Sequence, residues 1–292
     1  GLPVLILAPY WVSYADIVRI VGGVPVIVQC PASQNYLIQP SQIEGAVTPR
    51  TRAILLCSPS NPTGSVYSEA ELRAIAAVLE KYPDILIISD DIYEHILFDN
   101  RKFTNLAMLF PEWKDRIFIA NGVSKSYSMT GWRIGYGAGN RALIEGMETM
   151  QSQSTSNPSS ISQAAALAAL EGPQECVSTM RVAFEKRKNI VMQKFSQVPE
   201  ITLSAPGGAF YVFPNLDRVF ALPGFQKLRA ASKDRSLSRI LSAHLLEKYD
   251  VAVVPGIAFG DDSGMRLSFA LGEDALIKGL DRIAKMVADL RS

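Results

Sequence analysis

The stretch "IFIANGVSKSYSMTGWRIGYGAG", residues 117–139, decides how this chain is read. Ile117 to Ala120 is an apolar run of buried-strand type, and Arg133 to Gly139 reads as a second strand. Between them lies a hydroxyl-rich loop with one lysine, Lys125, and Arg133 follows eight residues later. A lysine pinched between two core strands needs a reason, because a buried charge is costly without a partner.

Working outward, the same texture recurs. "PVIVQC" (25–30), "AILLCS" (53–58), "ILIISD" (85–90), "RIFIAN" (116–121) and "RIGYGA" (133–138) are candidate strands, with another from Val4 to Leu7 ended by Pro9. They are apolar throughout, as expected of strands covered on both faces. Between two of them, "SEAELRAIAAVLEKYP" reads as a helix. Ser68 and Glu71 form a capping box, Leu72, Ile75, Ala76 and Leu79 share one face, and Pro83 ends it. Strand–helix–strand alternation predicts an α/β fold with a mostly parallel sheet.

From about residue 140 the pattern turns helical, ending in a long stretch over 173–197. Three short strands follow, in "GGAFYVF", "VAVVPG" and "MRLSFA". A boundary near Gly172 and Pro173 is expected, giving a large domain over 1–172 and a small α+β domain over 173–292.

The 292 residues are 48% hydrophobic and 20% charged, with a net charge of +1. That composition suits a globular protein, with nothing to favour nucleic acid or an anionic membrane as partner. No apolar segment approaches the roughly 18–20 residues that span a bilayer. The apolar start, "GLPVLILAPYW", lacks the positive flank and cleavage site of a signal peptide. Cys30, Cys57 and Cys176 have no metal or redox spacing, so a reducing, cytoplasmic setting is expected. With only His95 and His244, neither a Ser-His-Asp triad nor a His-rich metal site has support.

Three loops follow strands directly: "PSNPTG" with Asn61, "DDIYE" with Asp90 and Tyr93, and "VSKSY" with Lys125. In a parallel sheet the carboxyl ends of the strands share one edge, where ligands bind. A lysine desolvated there becomes a nucleophilic amine, the group that condenses with carbonyl compounds and with pyridoxal phosphate. The other residues suit that cofactor. Asp90 could keep its pyridine nitrogen protonated, Asn61 and Tyr93 could donate to its phenolate oxygen, and Ser124 and Arg133 could hold its phosphate. Each also has an ordinary reading. Asp90 could cap a helix, with Asp91 competing for its role, Asn61 could be a turn residue, and Tyr93 and Trp11 could fill the core.

Seven motifs in order resemble the class I and II aminotransferases, pyridoxal-phosphate enzymes of fold type I, and most of all their bacterial-type aspartate subgroup. They are "PYWVSY" (9–14), "SPSNPTG" (58–64), "SDDIYEH" (89–95), "NGVSKSYSMTGWRIGY" (121–136), "PGGAFYVF" (206–213), "VAVVPG" (251–256) and "MRLSFA" (265–270). The resemblance implies that Lys125 is the Schiff-base lysine and proton carrier, and that Asp90 is the pyridinium partner. Tyr93 and Asn61 would serve the phenolate oxygen, Ser124 and Arg133 the phosphate. Trp11 would stack on the ring and Arg266 would clamp the substrate α-carboxylate. Tyr14 and Phe210 would line the site.

The resemblance implies an aminotransferase acting as a homodimer on L-amino acids and 2-oxo acids, with aspartate and 2-oxoglutarate as the expected pair. Prephenate, aromatic amino acids and alanine stay open, since "QSQSTSNPSS" (151–160) holds no arginine to read a side-chain carboxylate. A lyase of the same fold would use the same lysine and aspartate, and a catalytically dead module is a third alternative. Family members carry about a hundred residues ahead of the "PYW" segment. Those residues would supply a Gly-rich phosphate loop, a tyrosine for the partner's phosphate and a lysine for the distal carboxylate. None falls within these 292 residues, so weakened cofactor binding is expected.

Overall fold

The computed structural model describes residues 1–292. Its main sheet has six strands: β1 (Pro3–Ala8), β2 (Val24–Gln29), β3 (Ala53–Cys57), β4 (Leu86–Asp90), β5 (Ile117–Asn121) and β6 (Tyr136–Ala138). Their order is β2-β1-β3-β4-β5-β6. Strands β1 to β5 run parallel, and β6 pairs antiparallel with β5. The carboxyl ends of β3, β4 and β5 therefore lie side by side.

The helix predicted after β3 spans Glu69–Leu79. Its capping box forms: the Glu71 amide donates to Ser68 Oγ at 3.3 Å, and the Ser68 amide donates to Glu71 Oε2 at 2.7 Å. Both orphan donors are satisfied locally, so the helix starts where the sequence expects. Its buried face, Leu72, Ile75, Ala76 and Leu79, packs in one cluster with Leu5, Ile54, Leu56 and Ile87 of the central strands.

The edge of the sheet departs from expectation in two ways. Arg133 to Gly135 are not strand. Thr130–Trp132 form a 3-10 turn, Arg133 sits in the left-handed region at φ 52°, and pairing begins only at Tyr136. All three β6 residues are also exposed, and the helix Arg141–Ser152 has no buried residue. The apolar strands are covered at the centre of the sheet, but this edge strand has no second layer upon it.

A smaller antiparallel sheet holds β7 (Tyr211–Val212), β8 (Val254–Pro255) and β9 (Met265–Ser268) in the order β7-β9-β8. The helices Glu175–Phe195 and Glu273–Leu290 pack around it. Their core of 26 buried residues also takes in Tyr93, Ile96 and Phe98, which follow β4. That segment is pinned further by Lys188, whose nearly buried ammonium meets Asp99 at 2.8 Å. A second tie is Gly64, at φ 70°, where a Cβ would stand 2.4 Å from Pro206 Cβ. Its carbonyl accepts from the Gly207 and Gly208 amides, so the Asn61 loop and the Tyr211 strand are held in one frame.

Candidate active site

The loops after β3, β4 and β5 open into a cavity of about 310 Å³, at the lower end of the range for small-molecule sites. Trp11, Asn61, Asp90, Tyr93, Ser124, Lys125, Arg133 and Arg266 all line it. Eight side chains singled out from five separate segments of sequence thus meet in one place. Tyr14 is there too, with Cys57, Ile92, Asn121, Thr130 and Tyr211.

Asp90 closes β4 and lies in register with Cys57 of β3. One carboxylate oxygen, Oδ2, accepts a short hydrogen bond from the Tyr14 hydroxyl, and the other accepts from the Ile92 amide at 3.3 Å. Burial raises its pKa, while the Tyr14 and Ile92 donors and the Lys125 charge pull it down. Asp91 turns away from the cavity. It accepts from Ser89 Oγ and Asn105 Nδ2, both at 2.7 Å, and burial pushes its pKa up to about 6.

Lys125 stands on the loop after β5. Burial depresses its basicity first, the Arg133 and Arg266 charges add to that, and Asp90 opposes them. The net shift is downward, in the direction that makes an amine more available as a nucleophile. The loop is closed on itself: Thr130 Oγ1 donates to the Ser124 carbonyl at 3.0 Å, and Arg133 Nη1 donates to the Thr130 carbonyl at 2.9 Å. Ser128 and Arg133 both take positive φ, a backbone cost that functional loops tolerate.

On the opposite wall, Arg266 Nη1 donates to Asn61 Oδ1 at 3.0 Å. Its guanidinium lies over the Tyr211 ring at 4.6 Å and the Phe259 ring at 5.1 Å. Held on three sides, it keeps a buried Nε without a partner. The Tyr93 and Tyr211 hydroxyls meet at 3.1 Å, and burial raises both pKa values. Trp11 is 38% exposed at the cavity mouth, with its ring edge-on to Tyr14 at 5.4 Å.

Phe210 does not line the cavity. Its ring packs against Tyr93 at 5.5 Å and Phe184 at 5.2 Å, joining the smaller-sheet core. Phe210 lies in the turn before β7, its ring 4.6 Å from that of Tyr211, and Tyr211, the first strand residue, is the one of the two that reaches the cavity. Cys57 was findable as the last strand residue before the Asn61 loop. Thr130 offered only an ordinary turn signature.

Comparison with known proteins gives these side chains their context. The class I and II aminotransferase family matches residues 1–283. The aspartate/prephenate aminotransferase of Nitrosomonas europaea is 47% identical over 288 residues, covering 99% of this chain and 72% of that enzyme. The aspartate aminotransferase of Geobacillus stearothermophilus is 46% identical, over 98% of this chain and 70% of its own length. In structure, the aspartate aminotransferase of Rhizobium meliloti superimposes with a TM-score of 0.91 at 43% identity, covering 99% of this chain and 71% of that one. An aromatic aminotransferase of Pyrococcus horikoshii gives 0.89 at 31% identity, covering 99% and 74%. The chain belongs to the class I and II aminotransferases.

Proposed function

We propose that this aminotransferase uses pyridoxal phosphate to move the amino group of an L-amino acid, aspartate first among them, to a 2-oxo acid, 2-oxoglutarate first among those. The carrying observation is the cavity itself, where a carboxylate, a lysine of lowered basicity and two guanidinium groups surround one space. This donor set fits the cofactor, and the unpartnered Arg266 Nε fits a carboxylate acceptor beside it. Asp90 would hold the ring nitrogen, Asn61 and Tyr93 the phenolate oxygen, Ser124 and Arg133 the phosphate, and Trp11 the ring face.

When bound, pyridoxal phosphate supplies an aldehyde for amines and a ring that takes up electron density. Lys125 Nζ is the nucleophile and the base that removes the proton from the substrate Cα: it is the one amine in the cavity, and its surroundings lower its basicity. Arg266 binds the α-carboxylate. Its rigid seat on Tyr211, Phe259 and Asn61 fixes the substrate's orientation before reaction.

The name of the Nitrosomonas relative favours a second reading within the same chemistry, in which prephenate is the amino acceptor. A visible spectrum of the protein with added pyridoxal phosphate, followed by aspartate, tests the main reading. A cofactor band that aspartate shifts, with oxaloacetate in solution, is expected. Ammonia release instead would favour a lyase, and an unchanged band would overturn the proposal. Repeating the assay with prephenate and 2-oxoglutarate as competing acceptors separates the two substrates.

A further inference from the structure

The loop that carries Lys125 makes two contacts outside the cavity that nothing in the reaction as described uses. Its backbone turns tightly around the lysine: the Tyr127 amide donates to the Val123 carbonyl at 3.2 Å and the Ser128 amide to the Lys125 carbonyl at 3.3 Å. Beyond that turn, the Tyr127 hydroxyl donates to Gln174 Oε1 at 2.7 Å, and Ser128 Oγ stands 2.9 Å from Met180 Sδ. Gln174 immediately precedes the helix Glu175–Phe195, and Met180 lies within it. The other end of the Gln174 amide faces three carbonyls, those of Gly172 at 2.7 Å, Ala169 at 3.0 Å and Leu170 at 3.4 Å, where the helix Ser160–Glu171 ends. Only an NH2 serves carbonyls, so the amide oxygen is left for the phenol. One side chain therefore joins the lysine loop to the end of one helix and the start of the next.

We infer that Tyr127 and Gln174 are positioning residues, whose bond braces the lysine loop against the junction of these two helices, so that the seating of the helix Glu175–Phe195 sets where the Lys125 amine stands. This rests on the proposed role of Lys125 and adds to it a pair that lies outside the cavity. The other side-chain bonds of the loop, from Thr130 to the Ser124 carbonyl and from Arg133 to the Thr130 carbonyl, stay within it. Bonds within a loop fix its shape, and bonds to a packed helix fix its place. The helix Glu175–Phe195 is such an anchor, because Phe184, Val191 and Phe195 are buried in the core of the smaller sheet. Tyrosine has only two side-chain torsions, so a bond at its hydroxyl restrains the backbone two residues from Lys125 with little slack. Around the amine stand Asp90, Arg133 and Arg266, and a displaced loop changes its distance from all three. Reaction rates are sensitive to such displacement, since misplacing reacting groups by about 1 Å costs up to about a hundredfold.

The test compares the wild-type chain with Tyr127→Phe, Gln174→Met and the double variant, each loaded with pyridoxal phosphate. Tyr127→Phe keeps the ring and removes only the donor. Loss of one neutral hydrogen bond should lower kcat about three- to tenfold for every substrate, with KM changed less than about twofold, because placement of the amine acts once substrate is bound. Both single variants break the same bond, so the double variant should lie within about twofold of the more damaged single one. A second readout needs no cofactor. Acylation of Lys125 by acetic anhydride across pH, followed by mass spectrometry, tracks the neutral fraction of that amine. Its midpoint should move upward in Tyr127→Phe, toward that of an ordinary lysine, as the amine leaves the two arginines for water. Lowered stability with kcat and midpoint unchanged would make the pair structural only, and losses that multiply in the double variant would show that the two residues act apart; either result overturns the inference. Lys125→Ala separates this from the reading it rests on. If that variant turns over aspartate as the wild type does, the role of Lys125 fails. If it does not, and Tyr127→Phe leaves both readouts unchanged, only the brace fails.

Discussion

Two regions meet at the end of β4 and treat adjacent carboxylates in opposite ways. Asp90 faces the cavity, where its neighbours are a phenol, a lysine and open space. Asp91 faces the packed interior, where Ser89 and Asn105 consume both of its oxygens and 2% of its surface remains exposed. Burial raises both pKa values, so burial alone does not mark the functional one. The difference lies in unspent capacity. Asp90 keeps room for a ligand, whereas Asp91 is satisfied by the protein and ties the β4 end to the Asn105 turn.

The cavity side should show the largest losses. Lys125→Ala removes the proposed nucleophile and base, and turnover should fall by about 10²–10⁴ or more in steady-state assays. Asp90→Ala comes next, with a fall in kcat on the order of a hundredfold, because a charge placed against the reacting system is lost. Asp91→Ala should leave kcat within a few-fold and lower stability by about 1–3 kcal/mol, since Ser89 and Asn105 lose their acceptor. If the two aspartate variants exchange these behaviours, the contrast between the regions is broken.

Arg266→Lys sharpens the same contrast on the opposite wall. Lysine cannot form a two-pronged bond to a carboxylate, so KM should rise about tenfold or more for every amino acid substrate, read from initial rates. Loss confined to dicarboxylic substrates would instead make Arg266 a reader of side chains.

On the packed side the expected effect is on stability, with no change in turnover. The Asp91 carboxyl titrates at about 6 in the folded chain against an ordinary value of 3.8. The native state therefore holds a proton that the unfolded chain releases between those values. Stability falls as pH rises through that window, by on the order of 3 kcal/mol from this group. Asp91→Asn should flatten the slope of unfolding free energy against pH between about 4 and 6 in urea titrations. An unchanged slope would show that Asp91 is ionised in the folded protein across that range.

Much of this site was legible because each key residue sits at a strand end, and apolar runs mark strand ends clearly. Asn61, Asp90 and Lys125 each follow such a run, so parallel pairing alone gathers them. The capping box at Ser68 was equally plain, since its chemistry is local. What local pattern could not give was the partner of each group. Tyr14 reaches Asp90 across 76 residues and Arg266 reaches Asn61 across 205, and neither meeting leaves a local periodicity. The strand at Arg133 was overextended because "RIGY" is apolar enough for β structure, while the left-handed turn at Arg133 depends on bonds within its loop. Phe210 packs beside Tyr93 and Tyr211 just behind the cavity wall, and the turn at Ala209 and Phe210 that puts it there depends on contacts no local pattern shows.

The central claim is that the reactive amine of this chain is Lys125, on the cavity side of β5. The most direct measurement is to load the protein with pyridoxal phosphate, reduce it with borohydride, digest it and map the modified lysine by mass spectrometry. The account predicts one dominant adduct, on Lys125, absent from Lys125→Ala. A dominant adduct on another lysine, or an undiminished yield in that variant, would contradict it.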